Sequence, residues 1–218
     1  MPNPIYLISG LGADERIFQH LDFGQFEPKF VNWIVPKYNE SLKSYAQRLA
    51  QQIETEKPII LGVSFGGMLA IEIAKYIDCQ QVILVSSAKT KYEIPFIYRL
   101  VGQLRLHKLL PTAVLKQANT LTYWLFGMTT KSEKSLLKSI LYNTDSTFLK
   151  WAINAIVHWN NTEILDNVVH LHGKTDHILP INCIKKVDFK IEDGGHLMIF
   201  NQAERLNEVL KGYFMKIY

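Results

Sequence analysis

The chain has 218 residues, a formal net charge of +4, 48% hydrophobic residues and 20% charged residues. This composition suits one soluble domain with a sizeable core and excludes a disordered chain. The small positive balance does not point to nucleic acid as a partner.

No apolar run reaches the ~18–20 residues of a membrane span, so no membrane insertion is expected. Met1-Pro2-Asn3-Pro4 leads straight into Ile5-Tyr6-Leu7-Ile8 with no basic, then apolar, leader. Cys79 and Cys183 stand apart, without metal-type or redox-type spacing. These features lead us to expect a cytoplasmic protein without a metal site.

In chain order, Ile5–Ile8 reads as a short buried strand ending at Ser9-Gly10, and Phe30–Val35 as a second, stopped by Pro36. From Ser41 a helical stripe follows, with Leu42, Tyr45, Ala46, Leu49 and Ile53 at three- and four-residue steps. Ile59–Val63 is a third strand, residues 66–77 an apolar helix, and Val82–Val85 a fourth strand. From Lys89 to about Asn161 the alternation stops. Helices are expected near 96–110, 112–126 and 131–141, and on the face formed by Phe148, Trp151, Ala152, Ala155, Ile156 and Trp159. Val168–Leu171 and Val187–Ile191 then read as strands, the latter at an edge because its polarity alternates. Asn201 with Glu204 has the form of a capping box. Leu206, Val209, Leu210, Tyr213, Phe214 and Ile217 form one face of a last helix. Strands apolar on both faces and separated by helices predict an α/β fold: a doubly wound, mainly parallel sheet.

Gly62-Val63-Ser64-Phe65-Gly66-Gly67 lies where the third strand turns into a helix. A Gly-x-Ser-x-Gly string in that context places the serine on a sharp turn at the C-terminal edge of the sheet. The helix start there offers free N–H groups. A serine hydroxyl needs a base, and the base an orienting carboxylate. His196, after two glycines in the loop following the last strand, is the candidate base. Asp176, in the loop after the preceding strand, is the candidate acid. Asp193 is a weaker choice, Asp166 precedes its strand, and the loop after the fourth strand offers only Ser86-Ser87.

With these residues in register, the chain resembles the α/β-hydrolase superfamily over roughly 1–88 and 165–218. The resemblance implies a minimal sheet of about six strands, because the two leading strands of larger members are missing. It implies an oxyanion hole from the N–H groups of Phe65 and Leu11, the latter in Ser9-Gly10-Leu11-Gly12. Ser9 stands where many relatives have His. It also implies that region 89–161, within a single domain spanning 1–218, is a helical lid.

Trp124, Trp151 and Trp159 in that region are candidates for lining an apolar substrate pocket, although packing alone would also account for them. Between Lys89 and Lys150 ten Lys and Arg stand against three acids, a net of +7, which leaves −3 for the rest of the chain. That charge could steer an anionic ester or thioester, or merely solvate helix faces. Arg16 could meet a substrate carboxylate or pair within its own loop. Lys174, His177 and the remaining histidines read as structural. The expected activity is cleavage of a small ester or thioester with no cofactor. The alternatives are an amidase, acyltransferase, lyase or C–C hydrolase, or a binding protein with a vestigial triad.

Overall fold

The computed structural model describes residues 3–215, so Ile217 of the expected last helical face lies outside the described residues. The strands are β1 (Pro4–Ile8), β2 (Glu27–Phe30), β3 (Ile59–Val63), β4 (Gln81–Val85), β5 (Val168–Gly173) and β6 (Phe189–Ile191). They form one sheet in the order β2-β1-β3-β4-β5-β6, and every pairing is parallel. All five residues of β3 and of β4 are buried, as continuous apolar runs in a sheet covered on both faces should be.

The helices connecting strands are α1 (Leu42–Leu49) and α2 (Phe65–Ala74). Between β4 and β5 come α3 (Phe96–Gln103), α4 (Thr112–Leu115), α5 (Thr120–Phe126), α6 (Lys131–Asn143) and α7 (Ser146–Val157). The chain closes with α8 (Met198–Asn201) and α9 (Ala203–Phe214). On one face of the sheet, Tyr6, Ile8, Ile60 and Leu84 pack with α1, α2 and the Phe148–Trp159 stretch. On the other, Ile5, Leu7, Leu61 and Val85 pack with Phe18, Leu206, Leu210 and Ile140. The inserted helices therefore contribute to both cores.

The stretch 96–110 is not one helix, because α3 ends at Gln103 and Arg105 turns left-handed at φ 55° before a short 3-10 turn. Three further expectations need correction. The second strand is Glu27–Phe30, not Phe30–Val35. Val31 still donates to the Leu7 carbonyl of β1, but from Asn32 side chains bond the backbone in place of a ladder. Gln52 bonds both the N–H and the C=O of Asn32 at 2.9 Å, and the Tyr45 hydroxyl bonds both groups of Ile34. The stretch 112–126 is two helices, because Asn119 caps α5 by accepting from the N–H of Thr122. The Asn201–Glu204 capping box does not form: Asn201 ends α8 and donates its amide to the carbonyl of Gly127. A capping box exists instead at Thr130 and Glu133, at the start of α6.

The register aligns the C-terminal strand ends. Ile8 lies opposite Gly62, Val63 opposite Val85, Val85 opposite Leu171, and Gly173 opposite Ile191. The loops carrying Leu11, Ser64, Asp176 and His196 thus emerge along one edge. The order reverses between β1 and β3, which is where ligand crevices open in such sheets.

The first turn of α2 lies directly on the end of β1. A Cβ built on Gly66 would overlap the carbonyl oxygens of Ile8 and Ser9, and one on Gly62 would come within 2.6 Å of the Gly66 oxygen. Both neighbours are backbone and cannot swing aside. Gly66→Ala is expected to cost about 3 kcal/mol or more, lowering Tm by roughly 6–12 °C. Gly212→Ala, which meets nothing within 4 Å in α9, should leave Tm unchanged or raise it. Thermal melts followed by circular dichroism compare the two.

Candidate active site

Ser64 occupies the turn between β3 and α2 with φ 52° and ψ −119°. A non-glycine residue rarely holds such a conformation unless its surroundings impose it. Here the N–H of Ser64 donates to the carbonyl of Val85 at 2.9 Å. Its carbonyl accepts the Ser87 hydroxyl at 2.6 Å and the N–H of Gly67 at 3.0 Å. The pair Ser86-Ser87 supplies no carboxylate, and Ser87 serves as the clamp on the turn.

The side chains named from the sequence come together. Ser64 Oγ lies 2.8 Å from His196 Nε2, and His196 Nδ1 lies 2.8 Å from Asp176 Oδ2. These partners assign the tautomer: Nδ1–H donates to the carboxylate, leaving Nε2 free to accept from the hydroxyl. Ser64 is half-buried, whereas His196 and Asp176 are each 3% exposed.

The loops that bear Asp176 and His196 are stitched together. Both the N–H and the hydroxyl of Thr175 donate to the Gly194 carbonyl, at 3.0 and 2.9 Å. The N–H of Lys174 donates to Ile191. Gly173 and Gly194 meet backbone to backbone, with 2.9 Å between the Gly173 Cα and a Cβ built on Gly194. Gly194, two residues before His196, therefore answers a packing need, as does Gly173 at the end of β5.

Asp176 Oδ1 accepts the N–H groups of Ile178 and Leu179 at 2.9 and 2.8 Å. Burial works against its ionisation, but His196, by charge and hydrogen bond, and the Leu179 N–H hold the carboxyl below its ordinary range. His172, read from the sequence as structural, lies 3.6 Å from Asp176 Oδ2. Burial pushes its imidazole below the ordinary range despite the pull of Asp176, so it is neutral at pH 7. Its Nε2–H donates to the Leu179 carbonyl at 2.7 Å. The ring braces the loop around the carboxylate without adding charge.

The loop after β1 approaches the serine closely. A Cβ on Gly10 would stand 3.6 Å from that of Ser64. Ser9 closes this loop by donating to the Ala13 carbonyl at 2.6 Å, and Gly12, at φ +68°, packs on Thr144. Among the described residues, the N–H groups of Leu11 and Phe65 have no partner within the chain. Arg16 takes the local option, pairing with Asp14 at 2.7 Å and reaching Ser139 of α6.

The three tryptophans diverge. Trp151 lies beside the serine turn, its ring 6.0 Å from that of Phe65, and it donates to the Glu40 carbonyl. Trp124 is half exposed and stacks on His177 at 3.9 Å, beside a cleft of about 710 Å³ that also reaches Gly195. Trp159 is not brought to the site. It is buried past the end of α7 and donates to Glu72 of α2, whose carboxylate also pairs with Lys75.

Two contacts went unnoticed in the sequence. Trp33 stacks on Phe65 at 5.8 Å, and the Phe126 ring meets His196 edge-on at 5.6 Å. The stretch 30–35 read as a strand with no sign that Trp33 would meet the serine turn, and Phe126 showed only as one more aromatic of the inserted region. Among the described residues, no cluster of three or more His, Cys, Asp or Glu could hold a metal ion, and no helix is long and apolar enough to cross a membrane.

No protein-family model and no curated protein matches the chain by sequence. Solved structures do match by shape. A thermophilic esterase from Thermogutta terrifontis superposes with a TM-score of 0.67 at 17% identity, over 99% of this chain and 90% of that one. A lipase-esterase related protein from Clostridium acetobutylicum gives 0.70 at 15% identity, over 97% and 94%. A bromoperoxidase from Bacillus anthracis gives 0.69 at 13% identity, over 99% and 92%. The chain has the α/β-hydrolase fold.

The depressed ionisation of Asp176 has a checkable sign. A carboxyl held below its unfolded-state range contributes stability above that range and loses it as pH falls through the folded value. The stability gap between wild type and Asp176→Asn, measured by urea unfolding, should therefore narrow from pH 6 to pH 3.5. A gap that stays constant over that interval contradicts the assignment.

Proposed function

We propose that the chain is a serine hydrolase that cleaves a small ester or thioester through an acyl-enzyme. The observation that carries this reading is the unbroken series of 2.8 Å contacts from Ser64 Oγ through the His196 ring to the Asp176 carboxylate. It supports the following steps. His196 Nε2 takes the Ser64 proton as Oγ attacks the carbonyl carbon. The N–H groups of Phe65 and Leu11 receive the developing oxyanion. Each such donor contributes about 10²–10³-fold in rate. The imidazolium, stabilised by Asp176, then protonates the leaving alcohol or thiol. A water activated by the same nitrogen releases the acid and restores Ser64. No cofactor is needed for this sequence. The fold-sharing esterases agree with hydrolysis, and the insertion over the strand ends would act as a lid that selects the substrate.

Labelling with a fluorophosphonate probe tests the reading. Wild type should react, while Ser64→Ala and His196→Ala should not. Hydrolysis of a responsive p-nitrophenyl or thioester substrate should fall by about 10⁴-fold or more in either variant. A folded wild type that neither labels nor hydrolyses any member of such a panel would overturn it.

A further inference from the structure

Between the insertion and the loop after β2 lies a cavity of about 550 Å³ whose lining does not include Ser64. Its size lies within the usual range for small-molecule sites. Three lysines from separate stretches of chain line it: Lys37 from the loop before α1, Lys108 from the turn after α3, and Lys150 from α7. No Asp or Glu belongs to the lining. Among the described residues, none of these lysines has an acidic partner within 4 Å, although Lys75, Lys89 and Lys174 all do.

The more sheltered lining is of another kind. Trp151 and Ile153 offer apolar surface, and the buried ring of His107 stands among them. His107 Nε2 bonds Asn154 Oδ1 at 3.0 Å, while its Nδ1 is buried with no hydrogen-bond partner. With Nε2–H donating to the amide oxygen, Nδ1 is an acceptor, so the His107 ring adds shape to the wall and no donor for an anion. The cavity thus combines exposed cations with an aromatic and aliphatic wall.

Solvated lysines on helix faces would explain positive charge anywhere on the insertion. They do not explain why three lysines without an acidic partner line one concave, partly apolar site that has no acidic residue in its lining. We propose that this cavity binds an amphipathic carboxylate, with the charged end among Lys37, Lys108 and Lys150 and the alkyl or aromatic body against Trp151 and Ile153. The site is separate from the nucleophile and stands independently of the hydrolase reading. The Trp151 ring forms part of its wall and also contacts the Phe65 ring.

Binding is read by calorimetry with sodium decanoate as the probe, on the full chain carrying Ser64→Ala, so that nothing depends on turnover. One saturable site is expected. Affinity should rise by up to about fourfold per methylene from hexanoate to decanoate. It should fall at least tenfold in a Lys37→Gln, Lys108→Gln, Lys150→Gln triple variant, whose changes are all at exposed positions. Ile153→Trp, which fills the cavity, should abolish binding. Absence of saturable binding in the folded protein overturns the proposal. Affinity unchanged by the triple substitution also overturns it, because decanoate would then bind elsewhere. A probe-reactive Ser64 in a wild type that binds no decanoate would refute the cavity and leave the hydrolase reading intact.

Discussion

Where the turn at Ser64 presses α2 onto β1, backbone lies against backbone with no room for a side chain at Gly62 or Gly66, and the site depends on that constraint. The turn folds the start of α2 onto the end of β1, and Gly66 fills the joint between them. Ser87 and Val85 hold the two polar groups of the turn. A positive φ at Ser64 is unfavourable in isolation and persists because these bonds and the close packing determine it together. The same closeness brings Gly10 beside the serine, so the free N–H groups of Leu11 and Phe65 belong to loops that cannot separate without breaking the packing of β1 on α2.

A second backbone joint holds the other half of the site. Gly173 and Gly194 touch, and Thr175 bridges to the Gly194 carbonyl twice. The carboxylate within this joint is almost fully buried, which would be unfavourable for an isolated charge. It is offset by the N–H groups of Ile178 and Leu179 and by His196. His172 could have been taken for a partner of the carboxylate. Its neutral ring instead donates to the Leu179 carbonyl, fixing the loop whose N–H groups solvate the charge.

The sequence revealed most where chemistry and backbone geometry coincide. Ile59–Val63 could only be a strand covered on both faces, and the glycines around Ser64 only a sharp turn. His196 was legible from its place after the last strand and behind two glycines, and Asp176 from the loop after the preceding strand. Legibility failed where long-range side-chain bonds replaced local ones. Nothing near Phe30–Val35 announced that Gln52 and Tyr45 would satisfy its backbone and end the strand early. Asn201 had the sequence of a cap and was drawn to Gly127, 74 residues away. Trp159, periodic with Trp151, fell past the end of its helix and found Glu72. Such outcomes turn on tertiary distances that a local pattern does not encode.

The insertion meets the loop of His196 at a close backbone seam. Gly127, at φ +72°, would place a Cβ 3.0 Å from the Gly195 Cα, and the N–H of Leu197 donates to the Phe126 carbonyl. The inserted helices therefore do not form an interchangeable cap bounded by β4 and β5. Exchange of this segment with that of another α/β-hydrolase fold would leave the imidazole without its edge-on Phe126 unless residues 126–127 were matched to the host loop. For recombination between such chains, the crossover that respects the molecule keeps 126–127 together with 194–201 as one inherited unit.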